Sequence, residues 1–354
     1  MLMIARWLPL LLAAGLVTDP SPGGLVVHEW GTLTSVVGED GAPIPWHPLR
    51  PQSDLPGFVH VGIPKGAQPA TVRMETPVLY FYSDRETVAS VKVEFPAGQI
   101  TEWYPSARWT PSRLEWSRVR LRPGAAGPHR REARDSHYYR ARQTDAALLA
   151  VGSGAALQHE RFLFYRGVGT CSLPVSVRLA GEAVEVATAA EIGPVVLFER
   201  RGGLVGYRRE ELAGGDTRLE RPVLAESLAD LRGELHQMLV ERGLYPPEAT
   251  AMLATWDESW FEEGLRLFYI LPERETDALL PLSIDPEPQE SVRVMVARLE
   301  ILTPEMETEA QERLAGPSAG PLPGGRFTEP LLMRVLQRTD DVRLKARIRR
   351  LLDR

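Results

Sequence analysis

The segment TVRMETPVLYFYS, residues 71–83, is short, rich in β-branched and aromatic residues, and followed by an aspartate, which is the pattern of a β-strand. VASVKVEFP (88–96) and ITEWYP (100–105) have the same character, and similar segments continue to about residue 210. Their spacing of roughly 8–12 residues is typical of a sandwich or barrel. No convincing helical segment separates one from the next, so a parallel α/β sheet is disfavoured.

The period of the apolar residues changes after residue 220. PVLAESLADLRGELHQMLVERGL (222–244) has leucines at helical spacing, and PPEATAMLATWDESWFEEG (246–264) begins with proline and ends with glycine, as a second helix would. Strand-like segments at 265–272 and 291–304 and a third helix at 304–315 follow. The expected fold is therefore mixed: a β-sandwich-like antiparallel N-terminal domain followed by an α+β C-terminal domain.

The chain is expected to divide into four parts. Residues 1–22 resemble a signal peptide or N-terminal anchor, because Arg6 is the only charge before the apolar run of residues 7–17. Residues 25–215 form the β-rich domain with a basic loop at 122–145. Residues 220–315 form the α+β domain, and residues 316–354 form a linker and a helical tail. The leader predicts export, to the periplasm or the extracellular space.

The overall charge and the single cysteine exclude several classes of function. A net charge of −6 gives no attraction to nucleic acid, and contact with a membrane is expected only through an uncleaved leader. Cys171 is the only cysteine, which excludes an internal disulfide and any multi-cysteine metal site. We expect Cys171 to be a packed small side chain.

The segment VVHEWGTLTSVV (26–37) places His28 next to Glu29. Successive side chains of a strand point to opposite faces, so both can bind one ion only if the backbone turns there. Gly31 allows such a bulge. Two interpretations stay open: His28 is a hydrogen-bonded strand histidine, or His28 and Glu29 hold one divalent metal ion.

The dipeptide Glu-Trp recurs at Glu29, Glu102 and Glu115. If each tryptophan packs inward, the three glutamates can converge on one face. Arg73 and Glu75 share a strand face and can join them. Close carboxylates repel unless arginine or a cation neutralises them, so such a cluster would be an acid/base or hard-cation site; separate solvated glutamates are the alternative.

A third candidate lies on the second predicted helix. An apolar stripe runs along it through Met252, Trp256 and Trp260, and Glu263 continues the same spacing. A carboxylate on a buried face needs a partner, for which Arg266 is expected. Glu263 is then either half of a structural ion pair or part of a site.

Two surface features suggest partners. The arginine-rich loop 122–145 can attract an anionic envelope component or a glycan, although a solvated loop has the same composition. Trp46, Trp109, Tyr138 and Tyr139, if exposed, would form an aromatic platform for a glycan or peptide.

The segments VVHEWGTLTS, RMETPVLYFYS, ITEWYP, FLFYRGVG and TWDESWFEEGLRLFYILP together resemble a group of exported bacterial proteins marked by an H-E-W-G-T-[FL]-T segment. The similarity extends over most of the chain that follows the leader. That group has no established activity, so the resemblance implies secretion and a shared fold but no reaction.

Three functional hypotheses follow, and whether the protein is an enzyme stays open. The first is a hydrolase of an envelope or extracellular substrate. It would use the carboxylates of Glu29, Glu75, Glu102 or Glu263, with Arg73 orienting an anion and His28 acting as base or metal ligand. The alternatives are a non-catalytic glycan- or peptide-binding module and a structural envelope protein. The only cofactor suggested is one divalent metal ion, and no Walker, G-x-S-x-G or H-E-x-x-H signature is present.

Overall fold

The computed structural model describes residues 24–46, 55–62, 70–316 and 322–352. The predicted leader, residues 1–22, lies outside this range. Within it, the strands are β1 (Val26–Val37), β2 (His60–Val61), β3 (Val72–Tyr82), β4 (Thr87–Glu94), β5 (Gly98–Tyr104), β6 (Arg108–Thr110), β7 (Arg113–Arg122), β8 (Leu148–Val151), β9 (Gln158–Glu160), β10 (Leu163–Gly169), β11 (Val175–Ala180), β12 (Ala183–Thr188), β13 (Gly193–Arg201), β14 (Leu204–Leu212), β15 (Gly215–Glu220), β16 (Gly264–Ile270), β17 (Leu282–Asp285) and β18 (Glu290–Ile301). The α-helices are α1 (Leu228–Glu241), α2 (Pro246–Trp260), α3 (Glu273–Leu279), α4 (Pro304–Ala315), α5 (Thr328–Arg338) and α6 (Val342–Leu352).

A nine-stranded sheet forms the centre of the molecule, in the order β14-β13-β16-β18-β1-β3-β10-β5-β2. Strand β1 lies at its middle, parallel to β18 and antiparallel to β3. Every residue of β1 is buried, because both faces of the sheet are covered. Strands from both sides of the boundary expected near residues 215–220 belong to this sheet, so continuous backbone hydrogen bonding joins the two parts of the chain.

Two smaller antiparallel sheets cover one face of the central sheet. Their orders are β17-β4-β7-β8-β9, with β6 paired to β7, and β11-β12-β15. Val27 and Leu33 of β1 pack here with Leu79 of β3, Trp116 of β7 and Val184 of β12. This packing is a β-sandwich, and the expected mixed fold, with antiparallel sheets in the N-terminal part and helices in the C-terminal part, is confirmed.

Helices cover the other face in two lobes. The first lobe consists of α1, α2 and a 3-10 helix, His137–Arg142, which pack on Trp30 of β1. The second lobe consists of α4, α5 and α6, which pack with Trp46. Each lobe closes its own apolar core, so a seam runs between them along the sheet. None of the helices in the described ranges is long and apolar enough to cross a bilayer.

Four adjacent strands lose their regular pairing at the same level of the central sheet. Register shifts occur between Trp30 and Thr32 of β1, next to Thr76 of β3, and around Arg166, where β10 pairs with β3 and β5. The bulge that Gly31 was predicted to allow is present. Thr76 has φ 51° although it is buried and β-branched, a conformation that few such residues adopt. Bulges of this kind redirect side chains, and they mark this level of the sheet as unusual.

Candidate functional site

A row of buried charged side chains crosses the helix-covered face of the sheet, under the seam between the lobes. We call it the charged row; all its members are less than 10% exposed. It consists of Arg266 of β16, Arg298 and Glu300 of β18, Arg73 and Glu75 of β3, Arg166 of β10 and Glu102 of β5. Burial of so many charges is tolerated only where each has opposite charges and hydrogen bonds around it.

The arginines of the row contact both lobes. Arg298 lies 4.7 Å above the ring of Phe327 and Arg73 lies 4.9 Å above the ring of Trp46, both in the second lobe. Arg166 lies 5.6 Å from the ring of Phe164, in the core of the first lobe. The row is thus the polar boundary between two apolar cores.

Ion pairs link one end of the row. The carboxylate of Glu300 forms ion pairs with the guanidinium groups of Arg266, at 2.9 Å, and Arg298, at 3.0 Å. Arg298 also forms an ion pair with Glu262, at 3.1 Å, and donates a hydrogen bond to the hydroxyl of Ser259 at 2.9 Å. Glu262 and Ser259 belong to the C-terminal end of α2 and the turn after it, so these bonds fix that end of the helix on the sheet.

Glu75 is the middle of the row. Its carboxylate accepts a hydrogen bond of 2.7 Å from Thr34 and forms an ion pair with Arg326. Burial alone would raise the pKa of Glu75, but the charge of Arg326, the hydrogen bond from Thr34 and the charge of Arg166 outweigh it and lower this pKa to about 2. Glu75 is therefore an anion at neutral pH and cannot donate a proton.

Arg166 connects the strained part of the sheet to the surface. Its guanidinium donates to the Thr76 hydroxyl at 3.1 Å and to Nε2 of His137 at 3.1 Å. Because arginine has donors only, Nε2 of His137 is the acceptor in this contact. Arg166 thus links the strained Thr76 to a histidine that lies at the wall of a cleft.

The cleft has a volume of about 590 Å³ and opens over the seam. One wall comes from the segment around the 3-10 helix and carries Glu132, Arg134, Asp135, His137 and Arg140. The other wall is the C-terminal end of α2 and carries Asp257, Glu258, Ser259 and Glu262. Arg326 lies between the walls and donates to the Ser259 hydroxyl at 2.7 Å. Its ion pair with Glu75 connects the cleft to the buried charged row, whose members do not themselves line the cleft.

The walls differ in charge. The wall formed by α2 is acidic and stands at the carbonyl end of the helix, where the helix dipole is also negative. Asp257 is paired with Arg232 and Asp135 with Arg140, whereas Glu258 and Arg134 are exposed and have no ion pair among the described residues. Within the described ranges, the cleft therefore presents the unpaired Glu258 on one wall and the unpaired Arg134 on the other, where the exposed Glu132 lies on the same wall as Arg134.

The structure brings three of the predicted site residues together, namely Arg73, Glu75 and Glu102. Burial lowers the pKa of Arg73, and the charges of Glu75 and Glu102 oppose this effect. Arg73 donates to the carbonyl oxygen of Trp46 at 2.8 Å, and Thr101 donates to Glu102.

The expected convergence of Glu29 and Glu115 with Glu102 is wrong. Glu29 points to the sandwich side of the sheet, where it accepts hydrogen bonds from Tyr165 at 2.5 Å and from Arg293 at 2.7 Å. Glu115 lies on the outer sheet beside Arg108, at 3.5 Å. Strand alternation fixes the face of each glutamate, but sequence spacing does not reveal which sheet a strand joins.

The expected pairing of Glu263 with Arg266 is also wrong. Helix α2 ends at Trp260, so the helical spacing no longer applies at Glu263. The Glu263 side chain is 52% exposed and accepts hydrogen bonds from the backbone N–H groups of Gly202 and Gly203, each at 2.9 Å. Arg266 is buried and pairs with Glu300 instead.

His28 is a hydrogen-bonded strand histidine, as one of the two interpretations held. Its Nδ1 lies 2.7 Å from the carboxylate of Glu248, which also accepts from the Tyr82 hydroxyl at 2.7 Å and the Tyr245 backbone N–H at 2.8 Å. Glu29 lies on the opposite face, so the two do not form a shared metal site. Among the described residues, no group of three or more His, Cys, Asp and Glu side chains is placed to hold a metal ion.

The prediction of an exposed aromatic platform is wrong for three of its four residues. Trp46 and Tyr138 are fully buried and Tyr139 is 6% exposed, so the 3-10 helix anchors the basic loop to the core. Trp109 is stacked on Trp103, with ring centroids 5.2 Å apart. Cys171 is half-buried against the sandwich core, and this burial raises the pKa of its thiol.

Several residues of the site were not predicted from the sequence: Ser259, Glu262, Arg298, Glu300, Arg326 and Arg166. A signal for some of them exists. VARLEIL in β18 and FLFYRG in β10 carry arginine or glutamate inside otherwise apolar strands, and a charge in a fully buried strand needs a partner. Nothing in the sequence near Arg326 indicates its contacts.

Comparison with known proteins adds little. No protein-family model matches the sequence, and no curated protein matches it. The yeast delta-COP-I mu-homology domain superposes with a TM-score of 0.35 and 7% sequence identity, over 79% of this chain and 98% of that domain. The same domain complexed with the Dsl1 WxWxV peptide gives a TM-score of 0.33 and 7% identity over the same shares. These values are too low to carry an inference about function.

Proposed function

We propose that this protein binds short zwitterionic peptides in the cleft between the 3-10 helix and the end of α2. The observation that carries the proposal is the separation of charge across the cleft, with Glu258 on one wall and Arg134 on the other. An ammonium group would lie against the acidic wall and a carboxylate against the arginine wall. A volume of about 590 Å³ is within the range of small-ligand sites.

The ion pairs and hydrogen bonds of the candidate carboxylates favour binding over hydrolysis. The carboxylates of the hydrolase hypothesis are held by other groups: Glu75 by Arg326, Glu29 by Arg293, and Glu263 by backbone N–H groups. With a pKa of about 2, Glu75 cannot act as a general acid at neutral pH. None of these three carboxylates lines the cleft, so the cleft has no free carboxylate from the hydrolase hypothesis at its wall.

The test measures the binding of trialanine by isothermal titration calorimetry. We expect the free tripeptide to bind, and N-acetylation or C-terminal amidation to weaken binding about tenfold each, since each removes one charge pair of the order of 1.4 kcal/mol. Glu258→Lys should weaken binding of the free tripeptide. Asp84→Lys is the matched control, because Asp84 is an exposed acid on the turn between β3 and β4, outside the cleft.

Two results would contradict the proposal. Blocked and free peptides that bind equally would show that the charged walls do not recognise termini. Release of alanine from trialanine during the titration would instead support the hydrolase hypothesis, with the same cleft as the active site.

A further inference from the structure

A second surface lies on the outer face of the sheet formed by β4, β7 and β8, away from the cleft. Strand β7 turns Leu114, Trp116, Val119 and Leu121 into the sandwich core. Its remaining residues face solvent, and three of them, Arg118, Arg120 and Arg122, follow one another along the strand. We call this the arginine face.

Arg118 has a backbone conformation that arginine rarely adopts. Between the pairs Ala89–Val119 and Val91–Trp116, the single residue Ser90 of β4 faces two residues of β7, Ser117 and Arg118. At this bulge Arg118 has φ 59°, in the left-handed region where glycine is the favoured residue. Backbone strain at a non-glycine residue is often found where the side chain has a function.

The charges of this face are incompletely neutralised. Arg118 is exposed and makes no hydrogen bond or ion pair with the described residues. Arg120 donates only to the carbonyl oxygen of Gly152, at 3.2 Å, and Arg122 lies 3.5 Å from the well-exposed Glu86. Two further acids lie near the bulge: Asp285, opposite Ser90 on β17, and Glu115 of β7, which is paired with Arg108 and Arg113. A local positive charge thus remains on a protein whose net charge is −6.

The geometry limits what can bind. Alternate residues of a strand are roughly 7 Å apart, so the three guanidinium groups form a line suited to a chain with repeated carboxylates. Strand β7 pairs with β4 on one side, and with β6 at residues 113–115 and β8 at residues 120–122 on the other. Within the described chain, only residues 116–119 lack a strand partner on that second side, which is too short an edge for a peptide strand to extend the sheet. Among the described residues, Val88 is the one large apolar side chain exposed on this face, which gives little to insert into a membrane.

We propose that the arginine face binds an acidic polysaccharide, with Arg118, Arg120 and Arg122 contacting successive carboxylates. This site is independent of the peptide cleft, because none of the three arginines lines it. The exposed Val88, which is paired with Arg120, would pack against the apolar face of a sugar ring. The strain at Arg118 is then tolerated because only a side chain at that position completes the line.

The experiment measures binding of the full chain to alginate, a polyuronate, by biolayer interferometry, and measures melting temperature in parallel. Arg118→Gly should raise the melting temperature, since glycine adopts the left-handed conformation without strain, and should weaken alginate binding about tenfold. Arg120→Glu, at a position with regular backbone, should weaken alginate binding further, because it replaces a positive charge with a negative one. Arg274→Ala is the control, because it removes one charge from an 86%-exposed side chain on α3.

The outcomes separate the alternatives. Loss of alginate binding in both arginine-face variants, with Arg274→Ala unchanged, supports the proposal. A stabilised Arg118→Gly variant that binds alginate like the wild type overturns it, as does failure of the wild type to bind alginate. Binding to polyglutamate, or to vesicles of 30% phosphatidylglycerol in phosphatidylcholine, that is as tight as binding to alginate overturns the assignment to a polysaccharide.

Discussion

The carboxylate of Glu75 is held between Arg326 and Thr34, and its pKa of about 2 makes stability depend on pH. A folded-state pKa below the unfolded value of 4.5 means that the stabilisation is complete above pH 4.5 and is lost as pH falls towards 2. A shift of this size corresponds to about 3 kcal/mol. We therefore predict that Glu75→Gln is less stable than the wild type at pH 7 and that the difference closes by pH 2.

Urea unfolding at a series of pH values checks this prediction. The control is Asp84→Asn, which removes an exposed carboxylate without an ion pair among the described residues and should follow the wild-type curve. A Glu75→Gln curve that stays parallel to the wild type between pH 4.5 and 2 would show that Glu75 is not ionised in the way described.

Glu248 is the residue that ties α2 to the central strand. It is fully buried and accepts from His28, Tyr82 and the Tyr245 backbone N–H. Replacing it leaves those buried groups without an acceptor, so Glu248→Ala should lower the free energy of unfolding by about 3–5 kcal/mol. Glu241→Ala, which removes a 46%-exposed partner of Arg209, should cost less than about 1 kcal/mol in the same chemical denaturation experiment.

At the level of elements, two glycines should respond in opposite directions to the same substitution. A Cβ at Gly167 of β10 would lie 2.6 Å from the backbone oxygen of Gln99, so Gly167→Ala must shift a strand and should cost about 2–3 kcal/mol. A Cβ at Gly233 of α1 meets nothing within 4 Å, so Gly233→Ala should add about 0.5–1 kcal/mol. Thermal unfolding of both variants gives the comparison. A neutral Gly167→Ala would contradict the close approach of β10 and β5 at this position.

Elements with a strong local pattern were predictable from the sequence. The third predicted helix coincides with α4, and the apolar stripe of α2 is buried from Ala249 to Trp260. The left-handed Thr76 was not predictable, because threonine is a poor residue for that conformation and only the tertiary fold imposes it. The 3-10 helix in the basic loop was missed for a similar reason: its buried tyrosines stand among arginines.

At the scale of the whole molecule, the site depends on contacts between distant parts of the chain. Arg326 and Glu75 are 251 residues apart, and Arg293 and Glu29 are 264 apart. Periodicity indicates which face of an element is apolar, but it does not indicate which elements become neighbours. For this reason Arg73 and Glu75 could be named from one strand, whereas Arg326, the partner of Glu75, could not.

The shared central sheet also determines how the molecule should unfold. Strand β1, from the beginning of the described chain, lies between β3 and β18, so removing either half of the chain would open the sheet at its middle. The charged row adds ion pairs under both helical lobes.

We therefore predict one cooperative transition in urea, with far-UV circular dichroism and tryptophan fluorescence giving coincident curves. The tryptophans are well placed for this test, since Trp116 reports on the sandwich core, Trp260 on the first lobe and Trp46 on the second. Two separated transitions would instead support independent units divided near residues 215–220, joined by a sheet too weak to couple them.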